Sequence, residues 1–193
     1  MQIKQTIQIY LKERQTPVIR IFHIVVLLLV LAQIILSNVV DFNDNGTISS
    51  NVFEFYGTWA HIVTGLLLVP LAVIFIVIEF KKHGFKHFYP YLSGDNQQVK
   101  ADFVQLKQLQ LPEAESKGIA AIVQGLGLGA LVLVLLSGSI WFYAWTNGAS
   151  WAEDVQEIHG LLTGLIITYS FAHGLLGLWH IFYSAYKAKQ TTI

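Results

Sequence analysis

Four histidines set in apolar surroundings, His23, His61, His159 and His173, are the residues of this chain whose type and spacing could do chemistry. His159 and His173 stand fourteen residues apart in the run from Trp151 to Tyr186. On a helix they fall within about 40° of one another and roughly 21 Å apart along the axis. One helix face therefore carries imidazoles at two depths. A histidine inside a membrane span is costly, tends to face the bundle interior and marks a functional site by default. A lone one reads as a core histidine hydrogen-bonded to a neighbouring helix. Two on one face, each with a counterpart at matching depth, point instead to two stacked metal centres, and haem iron with axial imidazoles is the candidate group.

The elements that must position these side chains are membrane helices. The 193 residues are 54% hydrophobic and 12% charged, with a mean hydropathy of +0.54. That is too apolar for a soluble globule and predicts one integral membrane domain over residues 1–193. The absence of cysteine excludes disulfides, iron–sulfur clusters, thiolate-bound zinc and thioether-linked haem. Four runs, at about 18–40, 57–80, 118–145 and 155–186, are long enough to cross a bilayer. The first lacks the small-residue cleavage site of a signal peptide and is expected to be retained. Pro17 suits a first helical turn, and Pro70 inside the second run predicts a kink. Between spans two and three, Ala101 to Leu111 predicts a short surface helix with Phe103, Val104, Leu106 and either Leu109 or Leu111 on a partial apolar face. Gly125 and Gly129 in the third span fit close helix contact; no strand or phosphate-binding lysine accompanies them to make a nucleotide loop.

Charge distribution orients the spans. Lys4, Lys12, Arg14 and Arg20 precede the first, six lysines lie in the loop 81–117, and Lys187 and Lys189 follow the fourth. The loops at 41–56 and 146–154 carry Asp41, Asp44, Glu54, Glu153 and Asp154 but no lysine or arginine. Four crossings thus put all twelve basic residues on one side, which the positive-inside rule makes the cytoplasm, with both termini in it. Trp59, Trp145 and Trp151 at the outer ends and Tyr89, Tyr91, Tyr183 and Tyr186 at the inner ends fit interfacial aromatic belts.

Orientation then assigns depth. His23 lies early in an ascending span, near the cytoplasm; His61 lies early in a descending one, near the exterior; His159 enters high and His173 lies low. The expected pairs are His61 with His159 and His23 with His173. Iron with both axial positions filled by imidazole has no open site for substrate, which favours electron transfer. Gly57, Gly65, Gly160, Gly164, Gly174 and Gly177 recur near these histidines and either make room for a flat cofactor or serve ordinary helix packing. Arg20, one turn before His23, either pairs with a haem propionate or only sets topology. His180, seven residues past His173, could contact propionates, relay protons to a quinone headgroup or cap the interface. His83 and His87 have the i, i+4 spacing of a metal-binding helix, yet their lysine, Gly84 and Pro90 neighbours read as a solvated or lipid-facing surface. Glu157, two residues before His159, points either to the centre or to water.

These residues resemble the prokaryotic cytochrome b561 group, which includes the b-type cytochrome subunits of membrane nickel-iron hydrogenases and the bacterial superoxide oxidase. The segment PVIRIFH, Pro17 to His23, is similar to the group's opening proline, arginine and histidine, and His159, His173 and His180 are similar to its last helix. The resemblance implies an all-α, four-helix protein of the bacterial cytoplasmic membrane. It would bind two b haems and carry electrons between quinone and a hydrogenase, dehydrogenase or cytochrome c, with no nucleic acid partner. Where the superoxide oxidase branch carries histidine near the start of span three, this chain has Gln124. The alternatives are a stand-alone superoxide:ubiquinone oxidoreductase and a non-redox scaffold or proton-relay transporter. A quinone site is expected at His180, Lys117 and Gln124 on the cytoplasmic side, or near Trp145 and Trp151 outside.

Overall fold

A computed structural model describes residues 16–43 and 45–190, with side chains to residue 183. Lys4, Lys12, Arg14 and Asp44 lie outside the described residues, as do the side chains of Tyr186, Lys187 and Lys189. The chain is helical: α1 (Pro17–Leu36), α2 (Val52–His83), the single turn α3 (Phe85–Phe88), α4 (Gln97–Lys107), α5 (Ile119–Thr146) and α6 (Ala152–Gln190). Four of these, α1 with the short 3-10 turn Ser37–Val39, α2, α5 and α6, are long and apolar enough to cross a membrane.

Helix ends follow local chemistry. Thr16 caps α1 by accepting from the Ile19 amide, with Pro17 in the first turn. The second helix begins at Val52, five residues before the expected start, because the Asn51 side chain accepts from the Phe53 and Glu54 amides. It remains helical through Pro70. The surface helix runs from Gln97 to Lys107, four residues earlier at each end than expected, and Leu109 follows it with a left-handed φ of 58°. Its apolar face is exposed, with Phe103, Val104 and Leu106 outermost, whereas Asp102 is 1% exposed. The Asp102 carboxylate accepts from the Ile119 amide at 2.7 Å and from Gln98 Nε2 at 2.8 Å. A polar residue therefore turns α4 inward, because the start of α5 offers unpaired N–H donors.

Packing is uneven. α1 lies against α2, α2 against α5, and α6 chiefly along α5, while α6 makes no extended backbone contact with α1 or α2. The core joins Val26 and Val30 of α1, Leu68, Ala72 and Phe75 of α2, Leu128 and Leu131 of α5 and Ile166 of α6. In a membrane such contacts rest on shape fit and interhelical hydrogen bonds rather than on water exclusion. Gln33 supplies one such bond: its amide donates to the His61 carbonyl at 3.1 Å and to the Thr64 hydroxyl. On α5, Gly125 receives the Tyr89 hydroxyl on its carbonyl at 2.7 Å and lies against Phe88. A side chain at Gly127 would overlap the ring of Tyr169.

Candidate functional site

The gap between α6 and the α1/α2 pair is bridged at two levels by histidine. His61 of α2 faces His159 of α6 with ring centres 6.3 Å apart, and His23 of α1 faces His173 of α6 at the same 6.3 Å. All four side chains are half-buried. Two metal–nitrogen bonds of about 2 Å in line place facing imidazole centres roughly 6 Å apart. Both gaps therefore match the span of one iron between two axial nitrogens.

The upper level opens into a cleft lined by Val30, Gln33, Ile34, Phe42, His61, Gly65, Leu131, Gly138, Trp141, His159 and Ile166, among others. Its walls are apolar and its polar groups few, which suits a flat, hydrophobic cofactor. The loop after α1 closes its outer side. There Phe42 pairs with Ile48 in an isolated antiparallel bridge, and its ring meets Trp141 at 5.4 Å and Trp145 at 5.6 Å. Trp145 ties the same loop down by donating to the Gly46 carbonyl at 2.8 Å.

Second contacts orient the imidazoles. His159 Nδ1 lies 3.0 Å from the Ser137 hydroxyl. His61 Nδ1 is buried with the Gln33 backbone beside it but no hydrogen bond of good geometry. At the lower level, the Tyr169 ring stacks on His173 at 5.2 Å and 14°, and Phe75 tilts against His23 at 6.2 Å.

A family model described as prokaryotic cytochrome b561 matches residues 14–187. The chain belongs to that family. Membership in the prokaryotic cytochrome b561 family makes it a multi-pass bacterial membrane protein that transfers electrons across the bilayer with b-type haem. No curated protein and no solved structure matches the chain.

The other residues singled out in this b561-family sequence divide as follows. Arg20 is half-buried one turn before His23, and among the described residues no carboxylate pairs with it. His180 is half-buried on α6. Lys117 is held by Asp95 at 2.7 Å, and Gln124 is exposed on α5. The Lys117 ammonium holds the Asp95 carboxyl below the usual carboxylate range, first through their hydrogen bond and then through its charge. His83 and His87 lie 4.6 Å apart with their rings tilted by 30°, His87 Nδ1 lies 2.9 Å from the Ser116 hydroxyl, and no group of three metal-ligating side chains forms among the described residues. Glu157 is exposed. Among the glycines expected near the histidines, Gly65 lines the upper cleft, joined by Gly138 of α5, and a Cβ added at Gly160, Gly164, Gly174 or Gly177 would meet nothing within 4 Å.

Sequence reasoning passed over Ser137, Gly138, Tyr169, Gln33 and Phe42. The available signal was polarity: Ser137 and Gln33 interrupt long apolar runs, where an uncharged polar group must find a partner.

Proposed function

We propose that the chain carries electrons through two b haems, one held by His61 and His159 near the outer face and one by His23 and His173 near the cytoplasmic face. At one end it exchanges electrons with quinone, and at the other with a redox protein such as a hydrogenase, dehydrogenase or cytochrome c. Both termini lie in the cytoplasm of a bacterium, and the protein sits in its inner membrane. Its whole length forms one domain.

One observation supports this above the rest: two histidine pairs at different levels share one ring-centre separation, and two imidazoles holding one metal between them would stand about that far apart. When bound there, haem supplies reversible one-electron chemistry at an iron closed to exogenous ligands. The protein's own residues hold and orient the imidazoles, exclude water and set the local polarity. Arg20, with no carboxylate partner among the described residues, has the planar fork that fits a haem propionate at the inner level. For quinone, the exposed Gln124 amide and the half-buried His180 stand at the cytoplasmic ends of α5 and α6, whereas Lys117 is committed to Asp95.

Single replacements test the assignment. His61→Ala and His159→Ala should each remove one haem, and His23→Ala and His173→Ala the other, leaving two distinguishable one-haem spectra. Loss of the same haem from all four variants would contradict the pairing. Gln124→Ala and His180→Ala should raise the apparent KM for a soluble quinone while leaving two haems bound; unchanged KM in both would remove the cytoplasmic quinone site.

A further inference from the structure

Helix α5 carries no histidine, yet Ser137 and Gly138 on it both meet His159. Ser137 sits there 7% exposed. Its hydroxyl has two neighbours: the Val134 carbonyl at 3.0 Å and His159 Nδ1 at 3.0 Å. With the hydroxyl proton given to the Val134 carbonyl, which can only accept, the oxygen lone pair faces His159. That arrangement asks for a proton on Nδ1, which leaves the Nε2 lone pair for a metal.

The neighbouring residue completes the seat. A Cβ at Gly138 would come within 2.9 Å of His159 Cε1, so glycine at this position lets the Cε1 edge of the imidazole approach α5. The opposing imidazole has no matching acceptor of good geometry, since His61 Nδ1 is buried without such a bond.

We propose that Ser137 is the positioning residue of the outer centre. It selects the Nδ1–H tautomer of His159, and by accepting that proton it makes the imidazole a stronger electron donor to the iron. This rests on the assignment of His61 and His159 as ligands of one haem. An imidazole whose N–H is held by an acceptor carries more negative charge on the ligating nitrogen, which favours the oxidised metal. Ser137 therefore holds the outer haem at a lower potential than an unassisted histidine pair would. His173, whose ring is flanked by Tyr169, has no hydroxyl counterpart in that contact, so the two centres differ by construction.

The test is a redox titration of detergent-solubilised holoprotein followed by optical spectra, comparing wild type, Ser137→Ala and Ser137→Thr. Haem content of each is fixed beforehand by pyridine haemochrome. In Ser137→Ala the outer haem should be reduced in about ten-fold greater proportion at the same applied potential, comparable to the usual effect of losing an outer-shell partner of a metal-bound histidine. For one electron that is a rise of about 59 mV. The inner haem should not move, and threonine, which keeps the hydroxyl, should restore the wild-type value. Wild-type protein without the outer haem would refute the centre itself. Two haems bound with an outer potential unmoved in Ser137→Ala, or both potentials moved equally, would refute the role of Ser137 alone. If Ser137→Ala fails to hold haem, the threonine variant decides: wild-type haem content and potential uphold the hydroxyl's role, and any other result overturns it.

Discussion

At the scale of single residues, glycine and serine on α5 decide how the α6 histidines stand. The ring of Tyr169 occupies the space over Gly127 and stacks on His173 at 5.2 Å. A methyl group at 127 must push that ring away, and overpacking of this kind costs about 1–3 kcal/mol. Gly127→Ala should therefore lower thermal stability in detergent and disturb the inner haem's spectrum, leaving the outer one intact. Gly138→Ala should do the reverse, since its Cβ would meet His159 at 2.9 Å. Spectra of the two variants that changed in the same way would contradict this division. Such seats were not legible in the sequence. SGS in an apolar run reads equally as packing or as contact with a cofactor, and only the rotation of α5 against α6 decides which residue meets a histidine. That His61 comes to face His159, and His23 His173, was legible, because a fourteen-residue spacing keeps one helix face.

At the scale of elements, the loop between α2 and α5 is fastened to the start of α5 by two acidic residues of different kinds. Asp102 is buried and satisfies the first turn of α5 through the Ile119 amide. Replacing such a cap by alanine costs about 0.5–2 kcal/mol, and Asp102→Ala should make residues 97–118 more sensitive to protease. Asp102→Asn, which keeps an acceptor, should lose less. The surface pair Asp95 and Lys117 gives a pH signature instead. A carboxyl held below its usual pKa stabilises the fold above the unfolded value of about 3.9 and loses that contribution as the pH falls through the lower folded value. The difference in protease sensitivity between wild type and Lys117→Gln should be present at neutral pH and vanish in acid below about pH 4. A difference that persisted at pH 2 would show that the ion pair is not its source. The existence of α4 was legible, but not its facing. Its apolar residues suggested a partial apolar face, and the unpaired amides beginning α5 drew Asp102 inward and left Phe103, Val104 and Leu106 exposed. The earlier start of α2 likewise belongs to Asn51, whose capping role depends on geometry that composition does not carry.

At the scale of the whole molecule, the bundle is open along one side. α6 leans on α5 and meets α1 and α2 through its imidazoles, so two metal-filled bridges would be the main ties across the cleft. Removing haem should then loosen α6 more than any other span, seen as faster hydrogen exchange across residues 155–175 in the apoprotein; uniform exchange across all four spans would contradict it. Four spans and their order could be read from hydropathy, because a bilayer admits few alternatives. Partner and direction of electron flow depend on surfaces and potentials that no spacing encodes. The central claim is that each of two histidine pairs encloses one haem, and the most direct measurement is haem per polypeptide by pyridine haemochrome on purified, solubilised protein. Two b haems per chain, low-spin in both redox states, is the predicted result. One haem or none per correctly folded chain would contradict it.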